Sequence, residues 1–200
     1  MGELPIRDQS ANDFEDLAQS IADQVASFLL SVRELASSGD SSRAVSLLLL
    51  EVSQLLLAGA RLGAQIDFVP VDTYETDTGP DPDLDRIRLS LAEKLDGVDE
   101  YHEMFDPYSL PPEPFLSRIS DDVSAIAGSV AHGLAHHRAG RIHEALWWWQ
   151  FSYVSSWGAE ASGVLRALQS IVAHDRLDTD ANTAEMEQVA IADAITARAD

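Results

Sequence analysis

His132 and His136 stand four residues apart, the spacing at which one helix face presents two imidazoles to a single metal ion. They are weak candidates for ligation. No second helix offers a matching His or Glu pair, His143 and His174 are scattered, and His137 falls nearer the apolar stripe of its own helix. The expectation is two solvent-facing histidines and no metal. The chain has no cysteine, which removes thiolate zinc sites, disulfides and cysteine nucleophiles. It contains no Gly-x-Ser-x-Gly elbow and no glycine-rich phosphate loop. Asp72, Glu75, Asp77 and Asp81 lack the alternation of a calcium-binding EF-hand loop. Carboxylates are so numerous that no pair stands out, and Asp121-Asp122 reads as complement to a helix dipole. No catalytic residue and no cofactor follow, so the reading leans towards a protein that is not an enzyme.

The aromatic residues carry more. All four tryptophans lie within 147–157, with Phe151 and Tyr153 between them. Large aromatics dominate core and interface energetics, so this stretch organises either the fold or a binding surface. At about 100° per residue, Leu146, Trp149, Tyr153, Trp157, Val164, Leu168 and Ile171 make one helical stripe. Trp147, Phe151, Val154, Gly158, Ala161, Leu165 and Val172 make an adjacent one. Trp148 belongs to neither. Either the 107–114 crossover or the tail covers it, or it is an exposed anchor. The candidate ligand- or partner-binding residues are Tyr101, His102, Phe105, Tyr108, Trp147, Trp148, Tyr153 and Trp157.

The elements that must position these residues are helices. Phe14, Leu17, Ile21, Val25, Phe28, Val32 and Leu35 mark a helix over 13–36, with Asn12 as its cap. A helix over 42–65 is apolar nearly all round, the pattern of a central, covered element, and Gly59 and Gly63 flatten one side for close packing. Asp81 and Pro82 open a third helix, stripe Leu84 to Val98, running to about Met104. The proline-rich stretch 106–114 cannot be helical. A fourth helix spans 115–139, stopped by Gly140, and a fifth runs from 141 to 174. No segment alternates usefully with period two. The fold class is therefore all-α: an antiparallel bundle of about five main helices, like tandem helical hairpins, with a weak C-terminal helix. Residues 1–12 read as a flexible N-terminus, 13–174 as one helical domain, and 175–200 as an acidic tail, a short helix or disordered.

The net charge of −21 should repel nucleic acid and anionic lipid. Lys94 is the only lysine. Thirteen acids against three bases crowd residues 67–106, and 67–85 carries seven acids and no base. Such a segment is either a solvated, self-repelling loop or a docking face. The run Ala44–Leu57 is broken by Glu51 and falls short of the ~20 apolar residues of a membrane span. The N-terminus has no apolar signal core, which makes the cytoplasm the expected compartment. The partner expected is a protein, a basic one where the acidic face docks; neither nucleic acid nor membrane is expected, and no oligomeric state follows.

One further pattern emerges from spaced motifs in order: Tyr101 to Tyr108 with Phe105-Asp106-Pro107, then Ser120-Asp121-Asp122, Gly133-Leu134 and Gly140, then Ala145 to Phe151 and Trp157-Gly158, ending at Leu168. Over about residues 13–172 this resembles a bacterial all-helical family of unknown function. The resemblance implies a helical domain, supplies no activity, and implies that the Tyr101–Tyr108 motif packs near the tryptophan helix. Members often carry histidine beside the Trp-Gly pair, where this chain has Ser156 and Glu160, so any ligation by such histidines is not expected here. The function expected is a non-catalytic interaction module, adaptor-like or immunity-like. The alternative is a small-molecule or metal site, enzymatic in the limit, beside the tryptophan helix.

Overall fold

The long apolar stripes become helices α1 (Ile6–Ser37), α2 (Ala44–Gly63), α3 (Asp85–Lys94), α4 (Ile119–Arg138), α5 (Ile142–Ser152) and α6 (Gly158–Thr196). A π-helical turn over Tyr153–Trp157 joins α5 to α6, and two short strands, β1 (Glu100–Glu103) and β2 (Phe115–Arg118), precede α4. The computed structural model describes residues 6–38, 43–72, 74, 77, 79, 82–104, 108, 110, 111 and 113–196, with side-chain surroundings for those between 13 and 177. α1 packs on α2, α3 and α4; α2 packs on α6; α4 lies against both α5 and α6. The fold is the expected helical bundle.

Several local expectations need correction. α1 starts at Ile6, so Asn12 lies inside it rather than at its cap. Asp81 lies outside the described residues, and Pro82 precedes α3 by three residues instead of opening it. The third helix does not reach Met104. It stops at Lys94, and Gly97, at φ +84°, turns the chain in a conformation that favours glycine. Residues 100–103 then extend as β1 and pair antiparallel with β2, Glu100 opposite Arg118 and Glu103 opposite Phe115. The fourth helix therefore begins at Ile119, not at Phe115. Its start is capped from outside by Asp99, which accepts hydrogen bonds from the Ser120 backbone N–H (2.8 Å) and hydroxyl (2.7 Å). Strands of four residues are too short for alternation to be visible in sequence.

α2 is less covered than its composition suggests. Leu48, Val52, Leu55 and Leu62 are buried, while Leu50 and Leu57 are exposed. By length and composition alone it is the one helix among the described residues apolar enough to cross a membrane. Glu51 is nonetheless buried on it, accepting a hydrogen bond from the Ser31 hydroxyl (2.9 Å). Gly59 and Gly63 do serve packing: a Cβ at Gly59 would stand 2.6 Å from the Trp157 ring and overlap that of Tyr153.

The tryptophan helix is the packing centre. Trp149 is 0 % exposed and Trp157 1 %. Gly133 of α4 makes room for Trp149, since a Cβ there would overlap the indole nitrogen and lie 2.8 Å from Cε2. Trp148 and Trp149 donate their indole N–H groups to consecutive carbonyls of α4, Ser129 and Val130, each at 3.0 Å. The half-buried Trp148 is thus covered by α4, through the Ser129 carbonyl and the His132 ring. The second stripe holds only in part: Ala161 is fully buried and Trp147 and Leu165 pack on the core, but Phe151 is 52 % and Val154 73 % exposed. Phe151 lies on the outer side of α5, and from Tyr153 onward a π turn resets which residues face inward. Trp149, Tyr153, Trp157 and Ala161 are separated by three successive steps of four, which only a widened turn keeps on one face. Ser152 stabilises it, donating to the Trp148 carbonyl (2.6 Å) and accepting from the Trp157 N–H (3.2 Å).

Candidate functional site

β1 delivers the site. Successive strand residues face opposite sides, so Tyr101 and Glu103 share one face. That face meets α6 at Gly163. A Cβ there would overlap Glu103 Oε2 and stand 2.9 Å from the Tyr101 hydroxyl, so the glycine is what admits both groups. Opposite them, the first turn of α4 contributes Asp122, β2 contributes Ser117, and α6 contributes Glu160 and Arg166. These residues line one cavity of about 680 Å³, a size typical of small-ligand sites.

Polar connections converge on the carboxylates. Tyr101 and Ser117 both donate hydroxyl hydrogen bonds to Asp122 Oδ2, each at 2.7 Å. Arg166 donates to Glu103 Oε1 at 2.7 Å, and the Met104 backbone N–H reaches the same oxygen at 2.8 Å. Ser156, in the π turn, donates to Glu160 Oε1 at 3.3 Å. Glu103 is only 9 % exposed, yet its Oε2, like that of Glu160, is buried without a hydrogen-bond partner. Such an oxygen loses its hydration with nothing in return, a cost of about 1–3 kcal/mol.

Charge is correspondingly uncomfortable here. Burial lifts the Asp122 carboxyl above the usual range; bonds from Ser117 and Tyr101 oppose the rise, and the Asp121 and Glu103 charges add to it. Burial likewise lifts Glu160, opposed by Ser156 and reinforced by Asp122. The Tyr101 phenol is pushed strongly upwards by burial and then by its bond to the Asp122 carboxylate, so it stays a donor. Arg166 is the one cation among the described lining residues. Three enclosed carboxyl groups therefore face a single guanidinium whose side chain is two-thirds exposed (66 %). What the arrangement lacks, electrostatically, is a second positive charge.

The other sequence candidates fall elsewhere. His102 lines an adjoining cavity with Tyr101. Tyr108 is 89 % exposed, and Phe105 lies outside the described residues. Trp157 is core, and Tyr153 packs edge-on against it, both rings facing Gly59. Trp147 stacks on Phe151 at 5.4 Å. His132 sits against Trp148, ring centroids 4.2 Å apart, and 5.1 Å from His136. His136 is buried, which corrects the expectation that both histidines face solvent; its ring lies against His132 on the helix that α5 packs upon. Among the described residues no three His, Cys, Asp or Glu side chains are placed to hold a metal ion. Glu103, Asp122, Glu160 and Arg166 were not singled out by sequence. Their signal was faint: Glu103 lies inside the Tyr101–Tyr108 motif, and Glu160 follows the Trp-Gly pair.

A helical bundle with a hairpin-borne carboxylate cavity is the class that fold and site define. The chain belongs to the family described as Domain of unknown function (DUF5063), which matches residues 12–174. It is similar in fold to the crystal structure of protein BF1032 from Bacteroides fragilis: TM-score 0.61, 19% identity, covering 76% of this chain and 89% of that one. At that identity the likeness concerns the fold alone. No curated protein matches the chain.

Proposed function

We propose that this domain is a non-catalytic binding module whose cavity between β1, β2, α4 and α6 captures a cationic group, with a primary ammonium as the simplest fit. The observation that carries the reading is Glu103: a carboxylate nine-tenths buried, with one oxygen unpartnered and the other held by the Met104 backbone N–H and one solvent-exposed arginine, its single cationic partner among the described residues. An ammonium entering beside Glu103, Glu160 and Asp122 would satisfy buried acceptors and relieve their repulsion. Calorimetric titration of the full chain with butylamine tests it. Butylamine should bind and butanol should not, and Glu103→Gln, which keeps the acceptors for Arg166 and Met104, should weaken amine binding about tenfold, as expected for a hydrogen bond to a charged group. No binding by the wild type, or equal binding by Glu103→Gln, would overturn the reading.

A second reading, docking of a protein partner on the acidic connection, has its own support. Ile66, Val69, Val71 and Tyr74 are exposed along it. Its backbone is held in place, Phe68 N–H donating to Gln150 Oε1 (2.8 Å) and Val71 N–H to Glu144 Oε1 (3.0 Å). A fixed strip of apolar side chains among acids suits a basic, partly apolar protein surface. Crosslinking in cell extract should capture a partner that is lost on Val69→Ser with Val71→Ser; capture unchanged by these substitutions counts against the strip. The net charge of −21 disfavours nucleic acid and anionic membrane as partners in both readings, and a cytoplasmic setting fits them.

A further inference from the structure

We propose that the ligand is an amine with an extended apolar body, and that its body lies in a second cavity on the far side of Arg166. The inference rests on the cationic-group reading above and adds an independent observation. A cavity of about 610 Å³ abuts the carboxylate cavity and shares two of its walls, Tyr101 and Arg166. Its chemistry differs. Val98, Ala167 and Ile171 supply apolar wall, while polar groups, His102 and His174 among them, stand around it.

The partition between the two spaces is unequal in its two parts. Tyr101 is fixed, its hydroxyl bonded to Asp122 at 2.7 Å. Arg166 is held at one carboxylate oxygen by a side chain that is 66 % exposed, so swinging it into solvent breaks one ion pair and removes little buried surface. The charge it leaves on Glu103 is the charge an incoming ammonium would take up. Head-group binding and opening of the passage are thus one exchange: ammonium replaces guanidinium on Glu103, and the vacated path leads past Ala167 towards Ile171. A short amine has no use for that path. An amine with four or more methylenes has a body that reaches it, and each methylene leaving water should tighten binding about fourfold.

The experiment is a calorimetric series on the full chain with ethylamine, butylamine and hexylamine, hexanol serving as the uncharged control. Affinity should rise about tenfold or more from butylamine to hexylamine. Ala167→Leu, which fills the apolar cavity, should leave butylamine binding within about twofold and abolish the gain from added length. Arg166→Gln should tighten hexylamine by removing the competing cation. Should no amine bind, both this inference and the cationic-group reading fall. If all three amines bind equally, or if the length gain survives Ala167→Leu, only the inference of a second cavity falls. A stable Ala167→Leu fold is verified by unchanged butylamine binding; should that variant fail to fold, Ile171→Ser, expected to reduce the length gain at least threefold, decides in its place.

Discussion

Trp149→Ala should lower the unfolding free energy by about 3–5 kcal/mol, and Trp157→Ala by a similar amount, the range for removing a fully buried tryptophan. Both side chains are essentially inaccessible, and Trp149 also gives up an indole bond to the Val130 carbonyl. Trp148→Ala should cost much less, about 1–2 kcal/mol, because its ring is half-buried and its loss opens a surface notch rather than a cavity. Urea denaturation of the three variants measures the order. Trp148→Ala as the worst of the three would mean that the packing centre has been misassigned. The two neighbours make a stringent pair: adjacent in sequence, equal in type, each bonded to an α4 carbonyl, and different only in what surrounds the ring.

Two glycines of α4 give the second large effect, with opposite signs. Alanine is favoured over glycine in a helix interior by about 1 kcal/mol. At Gly128 the added methyl would meet only the end of the Leu84 side chain, at 3.3 Å, which can rotate away. Gly128→Ala should therefore stabilise the protein by up to about 1 kcal/mol. At Gly133 the same methyl would overlap the indole of Trp149, which is sealed on every side and anchored to Val130. Overpacking outweighs propensity there, and Gly133→Ala should cost about 2 kcal/mol net. Thermal melts of the two single variants settle the comparison; equal stabilisation by both would show that the α4–α5 approach is looser than described.

The helices were legible because their signal is long. Stripes such as Phe14 to Leu35 and Leu146 to Trp157 repeat over many turns, and the glycine pair on α2 announced a close approach. What sequence hid is local or relational. The π turn shifts the residues from Val154 onward, and Phe151, which precedes it, lies on the exposed side of α5, so two expected core positions are surface. β1 and β2 are four residues each, and their pairing spans a connection that composition cannot register. The cavity was hidden for a different reason. Glu103, Asp122 and Glu160 are three acids among thirty-four, from three elements, and nothing in the chain distinguishes a buried carboxylate from a solvated one. Only Gly163, which lets Glu103 and Tyr101 press against α6, makes them neighbours. Of the sequence candidates, Tyr101 alone lines both cavities, and the tryptophans act through the helix that carries Glu160 and Arg166.

Proton release on amine binding tests the central claim most directly. Burial holds the Asp122 and Glu160 carboxyls above their usual range, so on the acid side the free cavity keeps a proton to a higher pH than ordinary carboxylates do. A bound ammonium favours the ionised carboxylates, lowers both pKa values and expels that proton. Butylamine titrations across a pH series, in buffers of different ionisation enthalpy, should show net release on the acid side, diminished in Glu160→Gln and fading as pH rises and the carboxyls ionise. Binding with no proton release, or with uptake, would place the amine away from these carboxyl groups and contradict the account.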